Sequence, residues 1–232
     1  ISLNNSIARL SSGLRVNSAK DDAAGLAIAE RMTAQIRGFD VAERNANDGI
    51  SLLQVADGAM GKLSDNLQRM RELAVQAKNG TLNDTDRVNL SREYTELTNE
   101  IDRIVTGSSF NNNALFSAAN ATLSFQVGTG NAASDTLNLY LTDDGTAAGN
   151  DLTTIMTGGA ASIAANFDTI TAVANATAAL DTIDNAIDAI TGIRAVVGAG
   201  QSRLEQVADF AKTSSTNLAT AKGRIMDADF AK

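Results

Sequence analysis

A seven-residue apolar rhythm runs from Asp22 to Lys78, and it limits the possible folds more than any other feature of the chain. Met32, Phe39, Ala46, Leu53, Met60, Leu67 and Ala74 fall one every seven residues, with Ile36 and Ile50 filling some of the steps between. Two turns of α-helix take about seven residues, so this spacing predicts a single helix with one apolar seam. At about 1.5 Å rise per residue such a helix would extend on the order of 85 Å, too long to close a core on itself. It has to lie against other long helices. The complete absence of proline from the 232 residues suits a chain built mostly of them.

The flanking sequence gives that helix its ends and its partners. Leu3, Ile7, Leu10 and Leu14 sit at helical spacing, and residues 12–22 are small and polar, which predicts a connector with Asp21 or Asp22 as N-cap. Gly25, Gly38, Gly49, Gly58 and Gly61 lie inside the helix, each costing about 1 kcal/mol relative to alanine. Such glycines are tolerated where packing dominates or backbones approach closely. Asn79-Gly80 predicts a stop, with Gly80 expected in the left-handed position after the helix. From about Asp84 to Thr106, Leu90, Tyr94, Leu97, Ile101 and Ile104 mark a second helix, and the short link before it requires an antiparallel return.

After Gly107 the period drops to two. Leu123, Phe125 and Val127, then Leu137, Leu139 and Leu141, alternate with polar residues around Gly128-Thr129-Gly130-Asn131, which predicts a β-hairpin over residues 121–142. Residues 143–175 are rich in Gly, Ala, Thr and Asp, with only Ile155, Ile163, Phe167 and Ile170 as scattered apolar anchors, and read as a short irregular cap or loop. From Thr177 the heptad returns through Ile183, Ile190, Val197, Leu204, Ala211, Leu218 and Ile225. Leu180 and Ile187 are expected as its second row, turning polar at Arg194, Gln201, Ser215 and Lys222. The predicted fold is mainly α: an elongated rod of long antiparallel, coiled-coil-like helices with a small β-hairpin region. Residues 1–142 form its N-terminal part, 143–175 a variable outer segment, and 176–232 the helix that completes it, so the two ends of the chain are expected side by side.

Composition excludes several functions. There is no His and no Cys, which removes the commonest general base, thiolate chemistry and disulfides. The formal charge of −8 argues against broad nucleic-acid binding. No run approaches 18 apolar residues, so no membrane span is expected. Gly128-Thr129-Gly130 joins two strands instead of opening a helix, and reads as a turn, not a phosphate loop. Asp143, Asp144 and Asp151 lack the spacing of a calcium loop and read as solvated turn acids. The sequons at Asn83, Asn120 and Asn175 are short patterns that recur by chance and carry little weight. No cofactor or metal site is expected.

Several long stretches stand out: Leu10-Ser11-Ser12-Gly13-Leu14-Arg15-Val16-Asn17-Ser18-Ala19-Lys20-Asp21-Asp22-Ala23-Ala24-Gly25, Arg44-Asn45-Ala46-Asn47-Asp48-Gly49-Ile50-Ser51, Leu67 to Gln76, Asn99 to Arg103, and Asn217-Leu218 with Gly223 to Ala231. Together they resemble bacterial flagellin. The resemblance covers residues 1–142 and 177–232. It implies a filament subunit of the flagellum, extracellular, exported unfolded by the flagellar machinery and its chaperone without a cleaved signal peptide. Relative to the family pattern, the chain is expected to lack both extreme terminal core helices and to stay monomeric as it stands.

The resemblance also implies a recognition patch for Toll-like receptor 5 at Arg69, Leu73 and Glu93, with Gln68, Glu72 and Gln76 around it. This surface overlaps the one used between protofilaments, so assembly and receptor binding would compete. From the residues alone, Arg69 and Glu93 read instead as a solvated ion pair. Two other functions remain open at this stage. A hook–filament junction protein shares the N-terminal motif, although the Gln68 to Gln76 run and the C-terminal signature favour flagellin. An enzyme or surface ligand-binding homologue would have to use residues 143–175.

Overall fold

A computed structural model describes residues 7, 10–116, 122–140, 167 and 169–228. The described elements are α1 (Ala23–Ala77), α2 (Asp84–Gly107), β1 (Ser109–Phe110), β2 (Asn113–Ala114), β3 (Thr122–Gln126), β4 (Thr136–Tyr140) and α3 (Val173–Met226). They distribute over two compact units. One holds Ile1–Asp48, Phe125–Leu137 and Arg203–Lys232, the other Gly49–Ser124 and Asn138–Ser202.

The two acids expected to cap α1 divide the work. The Asp22 carboxylate accepts the Gly25 amide at 2.8 Å, satisfying a free donor of the first turn. Asp21 instead accepts the Asn17 and Ser18 amides and the Ser18 hydroxyl, folding the connector onto itself. Along α1, buried positions alternate by four and three from Ala42 through Ala46, Gly49, Leu53, Ala56, Met60, Leu63, Leu67, Met70 and Ala74 to Ala77. The seven-residue seam is therefore one of two buried rows. The second row is Ala42, Gly49, Ala56, Leu63, Met70 and Ala77, whereas Ile36 and Ile50 are only half-buried.

In the first unit, the segments flanking the long helices pair with each other. Leu14 and Asp227 form an antiparallel bridge, the Arg15 amide donates to Met226 O, and the Ala228 amide donates to Gly13 O. Gly13 makes the bend that permits this at φ +70, a conformation open to glycine. The Arg15 guanidinium donates to Ile225 O at 2.7 Å, placing a cation on the free carbonyls that end α3. Phe39 and Phe210 meet edge to face at 6.1 Å. The Ser215 hydroxyl, one of the polar positions expected in the α3 seam, donates to Asp40 at 2.8 Å. Asn45 anchors the β3 end by donating to Gln126 O at 2.9 Å.

In the second unit, ion pairs fix the register of the helices. Arg71 meets Asp184 and Arg194 meets Asp57, so α3 descends as α1 ascends. Arg69 meets Glu93 and Arg87 reaches Ala77 O, so α2 also runs antiparallel to α1. Asn83 and Asp86 form a reciprocal capping box at the start of α2. The core gathers Leu53, Met60, Leu63, Leu67, Met70 and Leu73 of α1, Tyr94 and Ile101 of α2, and Ile183, Ile190, Ile193 and Val197 of α3. Phe167 and Ile170 are buried ahead of α3, which begins at Val173, four residues earlier than the returning heptad indicated.

Four expectations are corrected. On α3 the second buried row is Ala179, Ala186, Ile193 and Gly200, one position before Leu180, Ile187, Arg194 and Gln201, which are half-buried or exposed. A seam of closely approaching helices takes the small side chain, and the larger neighbour covers its edge. Gly200 shows the limit of this: a Cβ there would sit 2.8 Å from a methyl of Leu139 on β4. On α2 the buried stripe is Arg87, Ser91, Tyr94, Thr98, Ile101 and Val105, with Leu90, Leu97 and Ile104 only half-buried. Gly80 does not adopt a positive φ; the end of α1 is closed by the Lys78 and Asn79 amides on Ala74 O and Gln76 O and by Arg87 on Ala77 O instead. Between α2 and β3 lies an unforeseen short hairpin, with Ser109 opposite Ala114 and Phe110 opposite Asn113. Asn111 and Asn112, at φ 48 and 65, turn it in the primed geometry that asparagine tolerates.

The expected longer hairpin is β3 and β4, pairing Ser124 with Asn138 and Gln126 with Thr136 through their side chains. Leu137 and Leu139 are buried; Leu123, Phe125 and Val127 are half-buried. Its Gly128–Asn131 loop closes on Asp135, which accepts the Ala132 amide, and on Gln126, which donates to Gly128 O and Gly130 O. Leu141, Ile155, Ile163, Asp143, Asp144, Asp151 and Asn120 lie outside the described residues. Asn83 proves to be a helix cap, and Asn175 lies within α3.

Candidate recognition surface

The patch implied by resemblance lies on the second unit, where α2 returns along α1. The antiparallel return brings Glu93 beside Arg69 across 24 positions of sequence. Arg69 Nε donates to Glu93 Oε1 at 2.8 Å, and Nη1 donates to Glu72 Oε2 at 2.9 Å. One guanidinium thus holds two carboxylates, one from its own helix three residues on and one from the next helix. The hydrogen bond to Glu93, followed by that to Glu72, raises the proton affinity of Arg69 further above its ordinary value. Arg69 and Glu93 keep 50% and 47% of their side-chain surfaces in solvent, so the cluster is a charged surface feature and not a buried bridge.

The other members separate by burial. Gln68, Glu72 and Gln76 are exposed on α1, and Gln68 donates weakly to Ser64. Leu73 does not belong to the exposed surface. It is 1% exposed and packs as a core residue next to Met70, Ala74 and Ala77. Arg69 and Leu73 are four residues apart, as one helical face requires, but Leu73 and Ala74 are both buried, so the buried stripe is two residues wide here. Leu73 therefore belongs to the core, while the Arg69 side chain is half in solvent.

Two family profiles match the chain: the bacterial flagellin N-terminal helical region over residues 1–121 and the bacterial flagellin C-terminal helical region over residues 180–232. The chain belongs to the flagellin family. It is 44% identical over 224 residues to the flagellin of Halalkalibacterium halodurans, covering 97% of this chain and 77% of that one. It spans 36% of the length of two Vibrio flagellins that it also matches. The crystal structure of Bacillus cereus flagellin is similar, with TM-score 0.59, 32% identity, and 77% and 94% of the two chains covered. A flagellar hook-associated protein from Vibrio parahaemolyticus shares the fold at TM-score 0.69 and 16% identity, over 89% of this chain and all of that one. Flagellins are structural subunits of the bacterial flagellar filament, an extracellular assembly, and this chain carries that role.

Among the described residues, no helix of this flagellin is long and apolar enough to cross a membrane. Two ion pairs between α1 and α3 escaped the sequence reading. Arg71 Nε donates to Asp184 at 2.6 Å and Arg194 Nε to Asp57 at 2.8 Å, both joining α1 to α3. The only sequence signal for either was Arg194, read there as a polar interruption of the heptad.

The Arg71 hydrogen bond holds the Asp184 carboxyl below the usual carboxylate range, against an opposing push from burial. A carboxyl depressed in the folded state binds a proton less readily than in the unfolded chain. It contributes stability above its unfolded pKa, and that stability is lost as pH falls through the folded pKa. Thermal melting from roughly pH 5 down to 3 should therefore lose stability less steeply in Asp184→Asn than in the parent, since ordinary carboxylates titrate there. Equal slopes would show that the pair contributes nothing to the acid transition.

Proposed function

We propose that this flagellin-family chain assembles with copies of itself through its helices and is recognised by Toll-like receptor 5 through an exposed charge cluster centred on Arg69. The observation that supports the receptor reading is the Arg69–Glu72–Glu93 cluster, a solvent-facing cation held in one orientation by two carboxylates from two helices. A fixed guanidinium pays less entropy on binding than a free one, and Arg is the charged side chain most often found at binding hot spots. Glu93 and Glu72 present acceptors beside it, and Leu73, four residues on along α1, is a buried core residue. Export occurs through the flagellar machinery with its chaperone, and the chain acts structurally, not as an enzyme.

In a receptor-reporter assay with the soluble protein, Arg69→Ala and Glu93→Ala should each raise the half-maximal concentration by at least about tenfold, the loss of one hot-spot contact. Their melting midpoints should stay close to the parent's. Undiminished signalling from both variants would remove the patch from the reading. Assembly is tested separately by offering the full-length protein to seed filaments under the electron microscope. Helical elongation supports the subunit role; short terminal caps alone would point to a junction protein of the same apparatus, which shares the fold.

A further inference from the structure

We propose that Asn79-Gly80, in the turn between α1 and α2, is a self-modification site at which the folded chain converts its own asparagine into aspartate and isoaspartate. The reaction needs an asparagine side-chain carbonyl within reach of the next residue's amide nitrogen, that nitrogen free, and room for a five-membered ring. All three conditions meet here. Asn79 and Gly80 are exposed, and the turn after α1 holds the Asn79 amide on Gln76 O and the Asn79 carbonyl on the Leu82 amide and Arg87, leaving the Gly80 amide outside these bonds. The Asn79 Oδ1 accepts the Thr81 amide at 3.1 Å, an Asx turn that folds the side chain back over the Gly80 peptide and polarises its carbonyl. The Gly80 amide itself donates no hydrogen bond among the described residues.

The fold does not otherwise demand glycine at this position. Gly80 has no positive φ, and a Cβ there would meet nothing within 4 Å. What glycine does supply is an unhindered, freely rotating nucleophile. Asp48-Gly49 makes a useful contrast, because its chemistry is related. Gly49 is buried in the interior of α1, where the backbone cannot bend toward a side chain.

In the proposed step the Gly80 nitrogen forms a bond to Asn79 Cγ and the Cγ–Nδ2 bond breaks. Ammonia leaves with the proton lost by the Gly80 nitrogen. Solvent water then opens the resulting succinimide at either carbonyl, giving aspartate or isoaspartate, with no change of oxidation state. Each conversion adds one negative charge. The isoaspartyl product also inserts a methylene into the main chain directly before Gly80. That displaces Asn79 O, which accepts both the Leu82 amide and Arg87 Nη2.

The test incubates the full folded chain at mildly alkaline pH and follows the peptide spanning residues 79 and 80 by mass, by isoaspartyl methyltransferase labelling and by cleavage with hydroxylamine. The expected result is a gain of about 1 Da, methyl acceptance and Asn79–Gly80 cleavage, appearing faster there than at any other asparagine. Gly80→Ala, which the turn accommodates, should slow the conversion at least about tenfold while leaving the melting midpoint unchanged. Conversion that occurs only in urea, or that proceeds as fast with alanine at position 80, overturns the proposal.

Discussion

Replacing Leu73 by alanine is expected to lower the unfolding free energy by about 2–5 kcal/mol, the range for emptying a buried leucine site. Leu73 is 1% exposed, and Met70, Ala74 and Ala77 beside it are equally enclosed. The cost has two parts: the apolar surface no longer removed from water, and a cavity that the surrounding core only partly collapses to fill. Urea unfolding followed by helical circular dichroism measures it, and a midpoint equal to the parent's would refute the placement of Leu73 in the core. The same experiment changes how signalling variants are read. A Leu73→Ala protein that signals poorly and melts early has lost core packing. An Arg69→Ala protein that signals poorly and melts normally has lost the contact itself, because the guanidinium is half in solvent.

The burial of Leu73 illustrates which parts of this molecule could be read in the sequence. The positions of the long helices and the ends of α1 were legible, because the heptad and the punctuation at Asp22 and Asn79-Gly80 depend on local chemistry, whereas α3 begins four residues before its heptad becomes regular. The antiparallel return of α2 was legible from the shortness of its link. The rotation of each helix about its axis was not. Hydropathy ranks Leu180 and Ile187 above Ala179 and Ala186, yet the alanines occupy the seam, since closeness of approach is a property of the pair of helices.

On α2 the same error has a different cause. Thr98 is buried where Leu97 is not, because its hydroxyl donates to Tyr94 O and so carries its hydrogen bond inward with it. The Arg69–Glu93 pair was legible only through resemblance, because no periodicity joins residues 24 apart. The Asn111-Asn112 turn did leave a signal, a run of asparagines between two short stretches, and it fell below the length at which alternation can be counted.

Arg87→Met is expected to cost about 3 kcal/mol, the order of one or two hydrogen bonds to a charged donor together with the exposure of their acceptors to a site without donors. Sequence reading gave Arg87 no role, because an arginine in the second turn of a helix ordinarily faces water. Here it is 7% exposed. Its Nε donates to Ala77 O at 3.0 Å, Nη2 to Asn79 O at 3.1 Å, and Nη1 to Asp84 at 3.3 Å. Ala74 O and Gln76 O near the end of α1 accept the Lys78 and Asn79 amides, but with no left-handed glycine to close the helix, Ala77 O takes its donor from Arg87 of α2. Methionine keeps most of the stem's volume, so the loss isolates the donors from the packing. Arg87→Lys, with a single point of donation in place of a planar fork, should recover only part of the difference. Denaturant midpoints for the two variants decide it: if methionine is as stable as arginine, the carbonyls are satisfied by water and the clamp does not hold the turn.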